Sequence, residues 1–419
     1  MRVVHLNTSD AGGAAVAAIQ LHEALLEAGV ESDLLTLNKT RSDVLRHHRV
    51  LPFELGGNAA VNRLTYKMRR AAEILGFVPD KHNAPDNKNL LDRPAGYETF
   101  TVPYSFFDIL EHPLVQAADI IHLHWVSYGM IDQGEFFRKC KKPIVWTMHD
   151  MNAFTGGCHH ADDCVGFEST CPVCPQLKDH QQAHVYWSYK QQAIAGVAND
   201  RLRLVAPSQW LADRAVRSSI FKGRTCEVVP NGFRAEHFRY TERARDILDL
   251  PEGKKIILFS ALDVMNPRKG MHYLLPALER MKDQNILLVS LGGRSVPMPD
   301  GVEVHDAGFV ASSEQLALYY SAADLFVLPS VAENLPNTIN EALLCGTPVV
   351  AFRVGGIPEQ VHAGNGILVE PGDGSALEAA IHAALGVSWD RIRIAEQATE
   401  RYDRRAIATA YQRIYSTWR

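Results

Sequence analysis

The chain has 419 residues, a formal net charge of -5, 46% hydrophobic residues and 22% charged residues. That length exceeds one ordinary core and calls for two domains of about 200 residues each, with the composition of a water-soluble globular protein. The charge gives no global reason to expect a nucleic-acid partner, and no run approaches the ~18 apolar residues that span a bilayer. The N-terminus enters a strand at once, with no charged-then-apolar leader, so the cytoplasm is the expected compartment.

The first half alternates strand and helix. Residues 2–7 (RVVHLN) read as a buried strand, followed by a Gly12-Gly13 turn and a helix closed by Gly29. Further strands are expected at 31–37, 118–126, 142–150 and 202–208, with a helix near 180–198. Residues 39–112 show no clear pattern except over 58–77, where Val61, Leu64, Met68, Ala71 and Leu75 recur at helical spacing among Arg63, Lys67, Arg69 and Arg70. A basic amphipathic helix of this kind can lie on an anionic membrane. An ordinary surface helix that buries its apolar face is the favoured expectation.

The pattern restarts after Arg234. Strands are expected at 255–262, 285–293, 324–330, 347–352 and 366–373, with helices between them. Two successive βα arrays imply an α/β fold of two doubly wound, Rossmann-like domains, in which ligands sit at the C-terminal ends of the strands. The expected boundaries are 1–232 and 233–403, with a C-terminal helix 404–419 packing back on the first domain.

Residues 330–350 (SVAENLPNTINEALLCGTPVV) read as loop, helix and strand, with Glu333 in the loop and Glu341 on the helix. Asn337 and Thr338 fall at the helix start, where free N–H groups receive anions such as phosphate. NPRKG (266–270) sets Arg268 and Lys269 after the first strand of the second array, where two cations can neutralise a diphosphate leaving group. Gly12 and Gly13 allow close backbone approach at a helix start, yet SDAGGAAVAA lacks the dinucleotide fingerprint, which disfavours a nicotinamide-dependent oxidoreductase. His149, in TMHD, stands at a strand end where it can donate to a sugar hydroxyl or help move a proton. His122 and His124 alternate with apolar residues, and one of them is open to a purely structural reading. Cys158, Cys164, Cys171 and Cys174 crowd into one segment. In a cytoplasmic chain they suit a structural tetrahedral zinc, with free thiols or a redox-sensitive loop as the alternative.

Taken in order, DAGGAA, TMHD, VAPS, VVPNGF, PRKG, LALYYSAADLFVLPS, ENLPNTINEALLCGTPVV, GGIPE and GILVEPGD resemble the retaining family 4 glycosyltransferases over nearly the whole chain. The Glu-x7-Glu spacing of Glu333 and Glu341 is the most specific element. HDMNAFTGGCHH and CPVCPQL are similar to a subgroup of exopolysaccharide transferases such as those of colanic acid assembly. The resemblance implies the GT-B architecture, two Rossmann-like domains facing a central cleft, with the first domain for the acceptor and the second for the nucleotide sugar. It also implies roles. Glu333 would contact the donor sugar, Glu341 the ribose, and Lys269 and Arg268 the diphosphate. Asn334, Leu335 and Asn337 would line the sugar and diphosphate, His149 would touch the transferred sugar, and Gly12 and Gly13 match the first-domain glycine loop. One departure stands out: many members carry an Arg soon after the first strand of the second domain, where this chain reads SALDVMN.

The expected reaction is retaining transfer of a hexosyl unit from a nucleoside-diphosphate sugar to a lipid-linked saccharide acceptor, with the protein itself in peripheral contact with the inner face of the membrane. No cofactor or metal is expected in catalysis, because no Asp-x-Asp motif stands at a strand end. A sugar-nucleotide epimerase of similar architecture and a non-catalytic sugar-nucleotide-binding protein are the alternatives.

Overall fold

A computed structural model describes residues 1–82, 87, 90–261, 263–264, 266–292 and 299–418. The chain divides into two compact units, one of Met1–Pro230 with Ile407–Arg419 and the other of Asn231–Ala406.

The first unit is built on seven parallel strands: β1 (Arg2–Ser9), β2 (Glu31–Asn38), β3 (His47–Arg49), β4 (Ile120–Leu123), β5 (Ile144–Thr147), β6 (Leu202–Ala206) and β7 (Cys226–Val228). They lie in the order β3-β2-β1-β4-β5-β6-β7, so the winding reverses between β1 and β4. Such strands are covered on both faces, which is why they read as continuous apolar runs. Val4, Leu6, Ile121, Leu123, Ile144, Trp146 and Leu204 belong to one core. Val3, Ile120, Val145 and Val205 belong to the other, with Leu21 and Leu25 from helix α1 (Gly13–Glu27) and Ile407, Ala408, Tyr411 and Tyr415 from the C-terminal segment. Burial of each large side chain contributes about 1.5–3 kcal/mol.

The second unit has six parallel strands: β8 (Lys255–Ser260), β9 (Ile286–Leu291), β10 (Glu303–Gly308), β11 (Leu325–Leu328), β12 (Val349–Phe352) and β13 (Gly366–Val369). Their order, β10-β9-β8-β11-β12-β13, reverses between β8 and β11. Each sheet therefore has a switch point where loops diverge and leave a crevice at the strand C-termini.

Helix α2 (Ala59–Ile74) corrects the reading of residues 58–77 as a helix with its apolar face buried. Its apolar stripe faces water: Val61 is 59% exposed, Leu64 59%, Met68 66% and Leu75 68%, and Phe77 just beyond is 80% exposed. The inward side is polar and aromatic. Asn62 Nδ2 donates to Phe53 O and Leu55 O at 3.0 and 2.9 Å, and Tyr66 packs against Phe53 and Phe106. Arg70 Nη1 bridges Glu73 and Asp80 at 3.1 and 3.0 Å, with both carboxylates buried. Ion pairs and rings hold this helix down, and its hydrophobic residues are left over.

Candidate active site

In the second unit, three loops at the C-terminal side of adjacent strands meet. The loop after β8 carries a single 3-10 turn, Pro267–Lys269, capped by Asn266, whose side chain accepts from Arg268 N. The left-handed Gly270 then leads into the helix Met271–Arg280. A Cβ on Gly270 would lie 1.8 Å from the carbonyl oxygen of Pro329, so only glycine lets this loop pass the end of β11. Val331 N donates to Arg268 O at 2.9 Å, which ties the loop after β8 to the one after β11.

The switch point between β8 and β11 is spanned by charge. Glu333 Oε1 lies 2.6 Å from Lys269 Nζ and 2.9 Å from Arg268 Nη1, and Arg268 Nη1 also donates to Ala332 O at 2.7 Å. All three side chains are largely buried, so screening by water is weak and the pairing is tight. From the β12 side, Gly356 N donates to Asn334 O at 2.6 Å. Gly355 adopts φ +57, and a Cβ there would come 1.7 Å from Glu333 O. The backbone carrying Glu333 is thus wedged between two glycine turns.

Asn334 and Leu335 are buried, and Pro336 precedes the helix Asn337–Leu344. Asn337 opens that helix and its Oδ1 accepts from Asn231 Nδ2 at 2.9 Å; Thr338 follows, partly exposed. One helical turn on, Glu341 Oε2 accepts from the Tyr320 hydroxyl at 2.9 Å. Burial pushes the Glu341 carboxyl up to about 7, and the Tyr320 bond opposes this only in part. The ensemble offers two fixed cations, a helix start, and two carboxylates in different electrostatic states. Leu262 and Met265, within SALDVMN, lie outside the described residues.

In the first unit, Gly12, with φ 92, immediately precedes helix α1, which Gly13 opens. His149 lies two residues past β5, half-buried, with Nε2 3.2 Å from His124 Nδ1. Burial brings its imidazole down to about 4, with Asp150 working against the shift. Burial acts against the charge of Asp150, yet the neighbouring His159, 2.6 Å away, and the Asn152 N–H bring that carboxyl down to about 2. Lys190, fully buried, donates to Asn152 O and Thr155 O at 2.6 and 3.2 Å and so pins the loop after β5. Of the two histidines left open above, both are buried.

None of Cys158, Cys164, Cys171 and Cys174 is in a disulfide, and burial raises the thiols of Cys158, Cys171 and Cys174. Among the described residues, one group brings three potential ligand atoms within 4.8 Å of one another, and it is His5, His122 and His124. No three of the four Sγ atoms approach that closely. A zinc tetrahedron with ~2.3 Å bonds needs sulfur separations of about 3.8 Å, so the thiols as arranged do not form a closed zinc site.

Sequence reasoning missed Tyr320, Asp150 with His159, and Lys190. Each matters through a tertiary partner far from it in sequence or in another element, and no local pattern announces it.

Glu341 makes a pH-dependent contribution with a definite sign. Its folded value, about 7, lies above the ordinary 4.5, so the folded chain keeps a proton that the unfolded chain releases. The stability is present below about pH 4.5 and is lost as pH rises through about 7. Glu341→Gln, which mimics the protonated group, should gain melting temperature relative to the parent as pH rises from 5 to 8. A difference that stays constant, or widens toward acid, contradicts this.

The sequence model described as Glycosyltransferase Family 4 matches residues 11–237, more than half of the chain, and the one described as Glycosyl transferases group 1 matches residues 253–386. A glycosyl transferase of Escherichia coli (strain K12) assigned to colanic acid biosynthesis, WcaC, is 27% identical over 84% of this chain and 83% of its own. The D-inositol 3-phosphate glycosyltransferase of Corynebacterium efficiens is 28% identical over 71% of each chain. Sucrose-phosphate synthase from Thermosynechococcus elongatus superposes with a TM-score of 0.64 at 19% identity, covering 100% of this chain and 99% of its own. HepE of Anabaena, in complex with UDP and glucose, does so at 0.63 and 16%, covering all of both chains. The two switched parallel sheets are accordingly those of the GT-B fold, and the chain belongs to glycosyltransferase family 4.

Proposed function

We propose that this glycosyltransferase moves a hexosyl unit, with retention of configuration, from a nucleoside-diphosphate sugar to a hydroxyl of a lipid-linked saccharide in exopolysaccharide or cell-surface polysaccharide synthesis. The observation that carries the proposal is the Lys269–Glu333–Arg268 cluster across the β8/β11 switch point, beside the helix that Asn337 opens. Resemblance to the colanic acid relative supports the polysaccharide context, and the UDP-glucose complex of HepE supports the donor class.

In this reading the bond from the anomeric carbon to the diphosphate oxygen breaks as a bond to the acceptor oxygen forms on the same face. The acceptor's proton passes to the leaving oxygen. Negative charge grows on the diphosphate, where Lys269, Arg268 and the N–H groups of Asn337 and Thr338 meet it. Glu333 contacts sugar hydroxyls and Glu341 the ribose, while Asn334 and Leu335 line the sugar. His149 touches the transferred sugar, and Gly12 and Gly13 allow close backbone approach. With this much fixed positive charge the reaction runs without a divalent ion.

Sugar nucleotides should raise the melting temperature of the parent. The best of them should fail to do so with Lys269→Ala and with Glu341→Ala, and Lys269→Ala should cost on the order of 100-fold in kcat. EDTA should leave turnover unchanged. Normal binding by both variants removes the site assignment.

The outward stripe of α2 supports a peripheral position on the cytoplasmic side of the membrane. Val61, Leu64, Met68 and Leu75 form an apolar band flanked by the exposed cations Arg63 and Lys67, a match for a bilayer rich in anionic lipid. Vesicles containing phosphatidylglycerol should sediment the parent but not Leu64→Glu/Met68→Glu. Equal sedimentation of the two, or none of either, removes the membrane contact.

A structural zinc on Cys158, Cys164, Cys171 and Cys174 requires those thiols to draw together. Elemental analysis of the purified chain decides it: one equivalent supports the clamp, and less than about half an equivalent removes it.

A further inference from the structure

Helix α2 has an inward side for which the reaction above has no use. Its residues Tyr66 and Arg69, with Lys81, Tyr104 and Phe106 from beyond the helix, border three adjoining hollows of about 190, 350 and 490 Å³ within the first unit. Arg69 and Phe106 border all three, so the hollows form one groove. Its middle part reaches Leu37, near the end of β2, and Tyr128, beyond β4. The groove therefore lies at the C-terminal side of the first sheet, the side on which parallel sheets take ligands.

Rings make up much of its wall. Tyr66 packs on Phe106 with 4.6 Å between centroids, and Phe106 and Tyr128 are both exposed. Aromatic faces in a concave site suit the C–H face of a pyranose, which meets the negative side of the ring quadrupole.

The charges along the groove are unevenly matched. Glu73 accepts from Arg69 Nε and Arg70 Nη1 at 3.2 and 3.1 Å, and Asp108 pairs with Lys139 at 3.1 Å. Asp132 accepts from the Tyr189 hydroxyl at 2.6 Å and caps the helix Gln133–Lys139. Lys81 Nζ instead lies over the Tyr104 ring, 4.6 Å from its centroid, and 5.9 Å from that of Tyr189. Among the described residues, no carboxylate pairs with Lys81. Rings hold an ammonium in place without neutralising it, so its charge stays available to an anion. Arg69, exposed beyond its bond to Glu73, borders the same hollows.

The outward side of α2 indicates which anion. An amphipathic helix sinks about 5–10 Å into the headgroup layer, and a helix with its side chains is about 10–12 Å across. With Leu64 and Met68 on a bilayer, Tyr66 and Arg69 of the same helix stand at the level of lipid phosphates. A saccharide anchored to a lipid carries its phosphate between the hydrocarbon and the first sugar, which is the order in which the stripe, the cations and the rings present themselves.

We infer that this groove is an acceptor subsite for the phosphate-bearing end of a lipid-linked saccharide, with Lys81 and Arg69 on the phosphate and Tyr66, Phe106 and Tyr128 against the first sugar. This rests on the reading of the chain as a transferase with a lipid-linked acceptor and α2 on the membrane. Lys81 is then a specificity residue: it gives the phosphate a charge-assisted bond that a plain glycoside cannot use.

The test compares three soluble probes with the same chain and sugar: hexyl glucoside, hexyl glucosiduronate and glucosyl hexyl diphosphate. The full-length parent should bind the diphosphate at least tenfold more tightly than the other two. Lys81→Met should lose most of that preference, Lys81→Arg should keep it within a few-fold, and Phe106→Ala should weaken all three probes alike. Because Lys269 and Arg268 also attract diphosphates, Lys269→Ala is measured in parallel and should retain the preference. In turnover with the best-bound sugar nucleotide, Lys81→Met should raise KM for the diphosphate acceptor with little change in kcat. Equal binding of the three probes, binding of none, or tightest binding of the glucosiduronate overturns the inference. So does a preference that survives Lys81→Met or disappears in Lys269→Ala. If Lys81→Met does not fold, Arg69→Gln reads the same loss. Failure of the parent to bind any sugar nucleotide would instead refute the transferase reading, a result separate from the choice among the three probes.

Discussion

One carboxylate oxygen organises the second unit. Glu333 Oε1 accepts from both Lys269 and Arg268, and in doing so joins the loop after β8 to the loop after β11. Without a shared counter-ion, two largely buried cations side by side would repel each other and lose their solvation. The arrangement demands sterically exceptional backbone on each flank, which Gly270 and Gly355 supply. Electrostatics and sterics thus fix the same few atoms, and the nearby helix start at Asn337 inherits its place from them.

The two carboxylates of the Glu-x7-Glu pair differ because their surroundings differ. Glu333 has cations at bonding distance, whereas the Glu341 carboxylate accepts from a neutral phenol. Burial therefore raises Glu341 to about 7. A spacing that looks symmetrical in sequence becomes one carboxylate paired with two cations and one that is near its titration point at neutral pH.

Much of the fold was legible because parallel strands buried on both faces are written as apolar runs. The strands at 2–7, 255–262 and 347–352 were placed within a residue or two, and longer runs such as 142–150 mainly overshot at their ends. β3 was missed because His47-His48-Arg49 is a short polar edge strand with no such run. Helix α2 was found, but periodicity identifies a stripe without saying which way it faces. Its orientation was set by Asn62, Tyr66 and Arg70, whose partners lie outside the helix or near its end. In the site, the loops bearing Lys269 and Glu333 could be placed by their position after strands. The Tyr320 contact and the His124–His149 contact could not, since both depend on how separate elements lie against one another. Cysteine spacing gave the composition of a metal site without the distances that make one.

The outward stripe of α2 has a practical consequence for anyone handling this protein. A fully folded chain with Leu64, Met68, Leu75 and Phe77 in water will bind hydrophobic dyes and adhere to surfaces before any unfolding begins. Clumping in a concentrated preparation would then be a property of the native state, relieved by mild detergent, and poor evidence of misfolding.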